Sequence, residues 1–284
     1  LPARGPWAGL IGRATAVLAG LSTELSAGDW RLSATPGVDA RRARAALRTD
    51  LDVLEEAAQG YSGALKVSVC GPWTLASSLF LPLGGRVLGD RGARRDIAQS
   101  LAAGVGELVA EVSRRLPEAS VRLQVDEPSL PAVLAGRVPT EGGYFRHRSV
   151  SQAEVAEHLG PLAALTPDAL VHSCAGDVPI ALLRAAGFAG ISLDGSLLDR
   201  AGWDAVAAAV ESDVALYLGV ADATTAASGP DVLIRRALDW LGPLELGPVL
   251  ADRLWLTHSC GLAGASLDQV RPGLAALRRA AASV

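Results

Sequence analysis

Six short β-type runs, each followed by a longer stretch rich in Ala, Leu and Arg, are spaced along the chain, and this alternation restricts its fold more than any other feature. The runs are Leu65 to Cys70, Val121 to Asp126, Ala169 to Cys174, Gly190 to Asp194, Ala215 to Val220 and Leu254 to Cys260. Helical stretches lie near residues 38–59, 92–116, 151–165, 178–187, 201–211, 231–241 and 266–282. Parallel neighbours need a crossover between them, and helices of this length supply it, so the pattern predicts an α/β chain with a parallel sheet. Two architectures meet it: a (β/α)8 TIM barrel whose first strands precede Leu1, or an open doubly wound sheet. Trp30 to Ser33 reads as a weak seventh strand. No segment is long or polar enough to be a linker, so residues 1–284 read as a single domain.

Composition removes several classes of function. Half of the residues are apolar and a fifth are charged, which argues against intrinsic disorder. The net charge is −4 and no stretch clusters enough Arg to neutralise a run of phosphates, so no nucleic-acid partner is expected. Lys66 is the single lysine among 26 basic residues. No apolar run approaches the ~18–20 residues that span a bilayer, so we expect no membrane association and a cytoplasmic protein. Cys70, Cys174 and Cys260 cannot all pair, and widely spaced cysteines beside histidines read better as metal or catalytic residues than as a disulfide framework.

Side chains along a strand alternate between its faces, so residues two apart point the same way. Leu65, Val67 and Val69, then Val121, Leu123 and Val125, then Ile191 and Leu193 form one apolar set suited to packing beneath helices. The other set is polar: Lys66, Ser68 and Cys70; Arg122, Gln124 and Asp126; His172 and Cys174; Ser192 and Asp194; His258 and Cys260. It crowds toward the C-terminal strand ends, where α/β folds build their active sites.

Two of these ends repeat a pattern, His172-Ser173-Cys174 and His258-Ser259-Cys260. Zinc takes imidazole nitrogen and thiolate sulfur in a tetrahedral set, and catalytic zinc keeps one position open beside three protein ligands. His172, Cys174 and Cys260 would supply those three. A single His-x-Cys is equally explained by core packing, because free Cys behaves as a small apolar residue. Two copies at strand ends, with Asp194 at a third, favour the metal. His258 shares a parity with Cys260 and is an alternative to Asp194 as fourth ligand, or a residue orienting one, or a hydrogen-bonded strand-end His.

Taken in order, His172-x-Cys174, Asp194 at the end of the next strand and Cys260-Gly261-Leu262 resemble the zinc site of cobalamin-independent methionine synthase. Val125-Asp126-Glu127-Pro128 and Gly71-Pro72-Trp73-Thr74 are similar to that family's Asp-Glu-Pro and Gly-Pro-x-Thr segments, and the likeness runs from about Leu65 to Ala265. The resemblance implies a catalytic barrel in which Zn2+ binds the thiol of homocysteine and a methyl group passes to sulfur. It implies His172, Cys174, Cys260 and Asp194 as ligands, and Asp126 as the catalytic-site residue that holds the substrate's amino group.

The chain also departs from the family. Where the family carries Asp-x-His-Ser, with a His that protonates a folate leaving group, this chain reads Asp222-Ala223-Thr224-Thr225. The segment Leu1 to Ile11 contains no acid where the family brings a carboxylate to the substrate amine, and the family's first strand would precede Leu1. These departures lead us to expect a methyl donor other than methyltetrahydrofolate, with a corrinoid or a corrinoid protein as the candidate partner. The alternatives are a corrinoid-dependent enzyme for another small thiol and a zinc-binding barrel that serves as a binding module. Cys70 is expected to pack; His147 and His158 are expected to be solvated.

Overall fold

In the computed structural model, residues 4–223 and 228–283 are described, and they divide into two compact units, Arg4–Leu170 and the residues from Val171 onward. In the first, α1 (Leu10–Val17) leads into β1 (Ser22–Ser26) and β2 (Asp29–Ser33), followed by α2 (Val38–Ala57), β3 (Ala64–Cys70), α3 (Pro72–Ser78), α4 (Arg91–Arg115), β4 (Ser120–Asp126), α5 (Leu130–Leu134) and α6 (Gln152–Ala163). β3 and β4 are parallel neighbours in a register that sets Lys66 beside Arg122, Ser68 beside Gln124 and Cys70 beside Asp126.

The strand expected at Trp30 to Ser33 is the second arm of an antiparallel hairpin, with Leu25 opposite Trp30. The turn explains the difference. Ala27 and Gly28 both have positive φ, 52° and 91°, the geometry of the tight two-residue hairpin turns whose twist matches the flanking strands. Of the eight strands among the described residues two form this hairpin, which leaves fewer than the eight parallel strands that a closed barrel needs.

β5 (Leu170–Ser173) leads into the second unit, which continues with α7 (Ile180–Ala185), β6 (Gly190–Asp194), α8 (Arg200–Glu211), β7 (Ala215–Ala221), α9 (Pro230–Leu241), α10 (Pro248–Ala251), β8 (Leu254–His258) and α11 (Leu267–Ala281). β5, β6, β7 and β8 lie side by side in chain order, β6 with β7 and β7 with β8 in parallel register. Helix starts follow the sequence. Asp199 accepts from Gly202 N at 2.8 Å to begin α8, and Ser266 with Gln269 forms a reciprocal capping box on α11. α11 buries Val270, Gly273, Leu277 and Ala280, a stripe at helical spacing.

β7 is bulged between Gly219 and Ala221, where its register with β8 shifts. Gly219 permits a close approach there: a Cβ on it would stand 2.5 Å from Ser259 Cα and 2.7 Å from Leu193 O. With Ser259 N also donating to Ala221 O at 2.8 Å, the chain just past β8 is pinned against β7. Among the described residues no helix is long and apolar enough to cross a membrane.

Candidate metal centre

The second unit brings together three of the side chains singled out in the sequence. β5 carries His172, and Cys174 follows one residue beyond its end; Cys260 lies two residues beyond the end of β8. One ligand atom from each of His172, Cys174 and Cys260 lies within 4.8 Å of the others, and among the described residues this is the one such trio of His, Cys and acidic side chains. The sulfurs of Cys174 and Cys260 are 3.5 Å apart. Two sulfurs at about 2.3 Å from a tetrahedral zinc would be separated by about 3.8 Å, so the pair is already close to the spacing that the ion requires.

The donors are also prepared chemically. The hydrogen bond with Cys174, then that with His172, pulls the Cys260 thiol down to about 4 against the opposing effect of burial, and the thiolate is the form that binds metal. His172 is buried, and its Nδ1 is 3.0 Å from Ser192 Oγ on β6. When Nδ1 is protonated toward that hydroxyl, Nε2 keeps its lone pair, the arrangement by which a metal-binding imidazole is oriented from behind. The sequence set Ser192 on the polar face without giving it this role.

Asp194 is engaged elsewhere. Its Oδ1 accepts from Ser196 N at 3.0 Å and Ser196 Oγ at 2.7 Å, capping the 3-10 turn Gly195–Leu197, and it is not part of the trio. Nor is His258, whose ring lies against Gly273 of α11 and whose pKa is lowered by burial. Cys70 is 1% exposed, its thiol 3.5 Å from Gly71 O, and burial followed by Glu127 and Asp126 pushes its pKa well above the ordinary thiol value. It is packed, as the sequence suggested. His158 is not solvated: α6 turns it inward beside Val155, Leu159 and Leu162, and it stacks on Trp73 with ring centres 5.1 Å apart. His147 is half-buried against Gly89, with its pKa lowered by burial and by Arg86 and Arg94.

Within the first unit, the two remaining sequence motifs lock onto each other. Glu127 is fully buried and accepts from Trp73 N at 2.9 Å, Thr74 N at 2.8 Å and Thr74 Oγ1 at 2.7 Å, so the Asp-Glu-Pro carboxylate caps the helix that Gly71-Pro72-Trp73-Thr74 begins. A Cβ on Gly71 would stand 2.3 Å from Glu127 Oε1, which is why glycine precedes that proline. Burial raises the Glu127 pKa to about 7, against the three donors that favour the carboxylate. Asp126, one residue earlier, accepts from Gln124 Nε2 at 2.6 Å.

Residues 83–283 match the family described as the catalytic domain of cobalamin-independent synthase. Among solved structures the chain is similar to a B12-independent methionine synthase from Shewanella sp. W3-18-1, in complex with selenomethionine. The identity is 18% over 90% of this chain and 70% of that one, and the TM-score of 0.57 shows a shared fold. A GH20 β-N-acetylhexosaminidase from Streptomyces coelicolor A3(2) aligns at 16% identity over 80% of this chain and 61% of that one, with a TM-score of 0.35. No curated protein matches. The family is cobalamin-independent, so the corrinoid or corrinoid-protein partner expected from Asp222-Ala223-Thr224-Thr225 has no support. Thr224 and Thr225 lie outside the described residues, and that segment offers no geometry in its favour.

Proposed function

This chain belongs to the cobalamin-independent methionine synthase catalytic-domain family, and from that premise we propose that it transfers a methyl group to the thiol of homocysteine, forming methionine, with one Zn2+ held by His172, Cys174 and Cys260. The observation that supports this most is the gathering of one imidazole and two thiols within 4.8 Å, a donor set suited to zinc with its fourth position left for substrate sulfur. When bound, the ion would supply the positive charge that lets a substrate thiol lose its proton at neutral pH.

The remaining work falls to the chain's own groups. Ser192 fixes the His172 ring through Nδ1. Cys174 and Cys260 bring negative charge that keeps a bound substrate sulfur electron-rich. Asp194, held by Ser196, is left out of the ligand set in this reading. For Asp126 we propose the role that the resemblance gives it, pairing with the ammonium of homocysteine. In the transfer an S–CH3 bond forms, the donor keeps the electron pair of the bond that breaks, and the thiol proton leaves to solvent. The whole of residues 1–284 is read as one catalytic domain.

The test is calorimetry of the zinc-loaded protein with homocysteine in buffers of different ionisation enthalpy. An ordinary thiol is largely protonated at pH 7, so binding as thiolate should release about one proton per chain. Homocysteine binding without proton release would reject the reading.

A further inference from the structure

The single lysine of the chain stands at one end of a hydrogen-bonded relay that ends on Asp126. Lys66 Nζ on β3 donates to Gln124 Oε1 on β4, and Gln124 Nε2 donates to Asp126 Oδ1 at 2.6 Å. The direction of this relay is fixed by chemistry. An ammonium can only donate and a carboxylate can only accept, so the amide between them must turn its oxygen to Lys66 and its nitrogen to Asp126. Gln124 is buried at 7% exposure and cannot trade either partner for bulk water. Arg122, the register partner of Lys66, is ion-paired with Asp168.

We infer that Lys66 is a positioning residue for substrate: through Gln124 it holds the Asp126 carboxylate in the orientation that receives the ammonium of an α-amino thiol. This rests on the proposed role of Asp126. A cation on the amide oxygen polarises the group and strengthens the bond that its N–H makes to the carboxylate. Without that cation nothing charged fixes which end of the Gln124 amide faces Asp126. Burial of the Lys66 ammonium lowers its pKa, while the Asp126 carboxylate acts to raise it. Lys66 is exposed as a residue, so replacing it leaves the core intact.

The test compares two thiols on zinc-loaded wild type, Lys66→Met and Lys66→Arg: homocysteine, and 4-sulfanylbutanoate, which is homocysteine without its amino group. Lys66→Met should weaken homocysteine binding about tenfold, the scale of one charge-assisted hydrogen bond, and leave 4-sulfanylbutanoate binding unchanged. Lys66→Arg, which can still donate to Gln124, should recover most of the loss. Equal weakening of both thiols in Lys66→Met, or weakening of neither, would overturn the inference. Failure of the wild type to bind homocysteine with proton release would instead remove the parent reading, and the role of Lys66 with it.

Discussion

Cys260→Ser and Cys174→Ser are each expected to reduce bound zinc from about one ion per chain to a trace after dialysis, measured by plasma mass spectrometry. Zinc held by protein ligands binds with roughly 10–16 kcal/mol at neutral pH, and each of three donors carries a substantial share of that. Losing one thiolate should therefore weaken the site by on the order of a hundredfold or more. The fold should survive. Cys260 is exposed and follows the end of β8, and the backbone of the segment that carries it is pinned by Ser259 N on Ala221 O. Asp194→Asn should keep full zinc, because Asp194 is not among the gathered donors and its Oδ1 already accepts from Ser196. Zinc retained in both Cys variants would defeat the ligand assignment.

Glu127→Ala should have the largest effect on stability, roughly 3–5 kcal/mol by urea denaturation. It leaves two backbone N–H groups and the Thr74 hydroxyl in a buried pocket without their acceptor, at about 1–3 kcal/mol each, partly relieved by water entering the space. The contribution should also depend on pH. Burial raises the folded-state pKa to about 7 from the ordinary 4.5, so folding takes up a proton between those values. The stabilisation given by Glu127 is then complete below about pH 4.5 and is lost as pH rises through about 7. The difference in urea midpoint between wild type and Glu127→Ala should shrink over that range. A difference that grows with pH would mean that the three donors, and not burial, govern this carboxyl.

The zinc trio is partly legible from residue order. His172 and Cys174 share a strand face by the two-residue period, and Cys260 reaches them because strand ends in parallel α/β units converge on one edge of the sheet. The same parity misdirects at His258. β8 ends there, and the shift in β7 between Gly219 and Ala221 means that alternation no longer relates it to Cys260. Asp194 also shares parity with Ser192, but Asp-Gly-Ser is a local turn signal in which a short carboxylate bonds the backbone two residues ahead.

What remained hidden depended on neighbours distant in sequence. Ser192 meets His172 only through the adjacency of β5 and β6, and Glu127 meets Thr74 across 53 residues. α3 is buried from Pro72 to Ser77 and so lacks the polar face from which helical periodicity is recognised. Gly71-Pro72 marks the start of α3 in the sequence, but nothing local shows that His158 stacks on Trp73 of that helix, 85 residues away. The hairpin at Ser22–Ser26 and Asp29–Ser33 turns on Ala27 and Gly28, a pair that does not carry the usual Asn-Gly or Asp-Gly signal.

The most direct measurement of the central claim is X-ray absorption at the zinc edge, on the loaded protein before and after homocysteine. The account predicts two sulfurs near 2.3 Å and one imidazole nitrogen near 2.0–2.1 Å in the free protein, and three sulfurs once homocysteine is added. A sulfur count that stays at two when homocysteine is bound would contradict it.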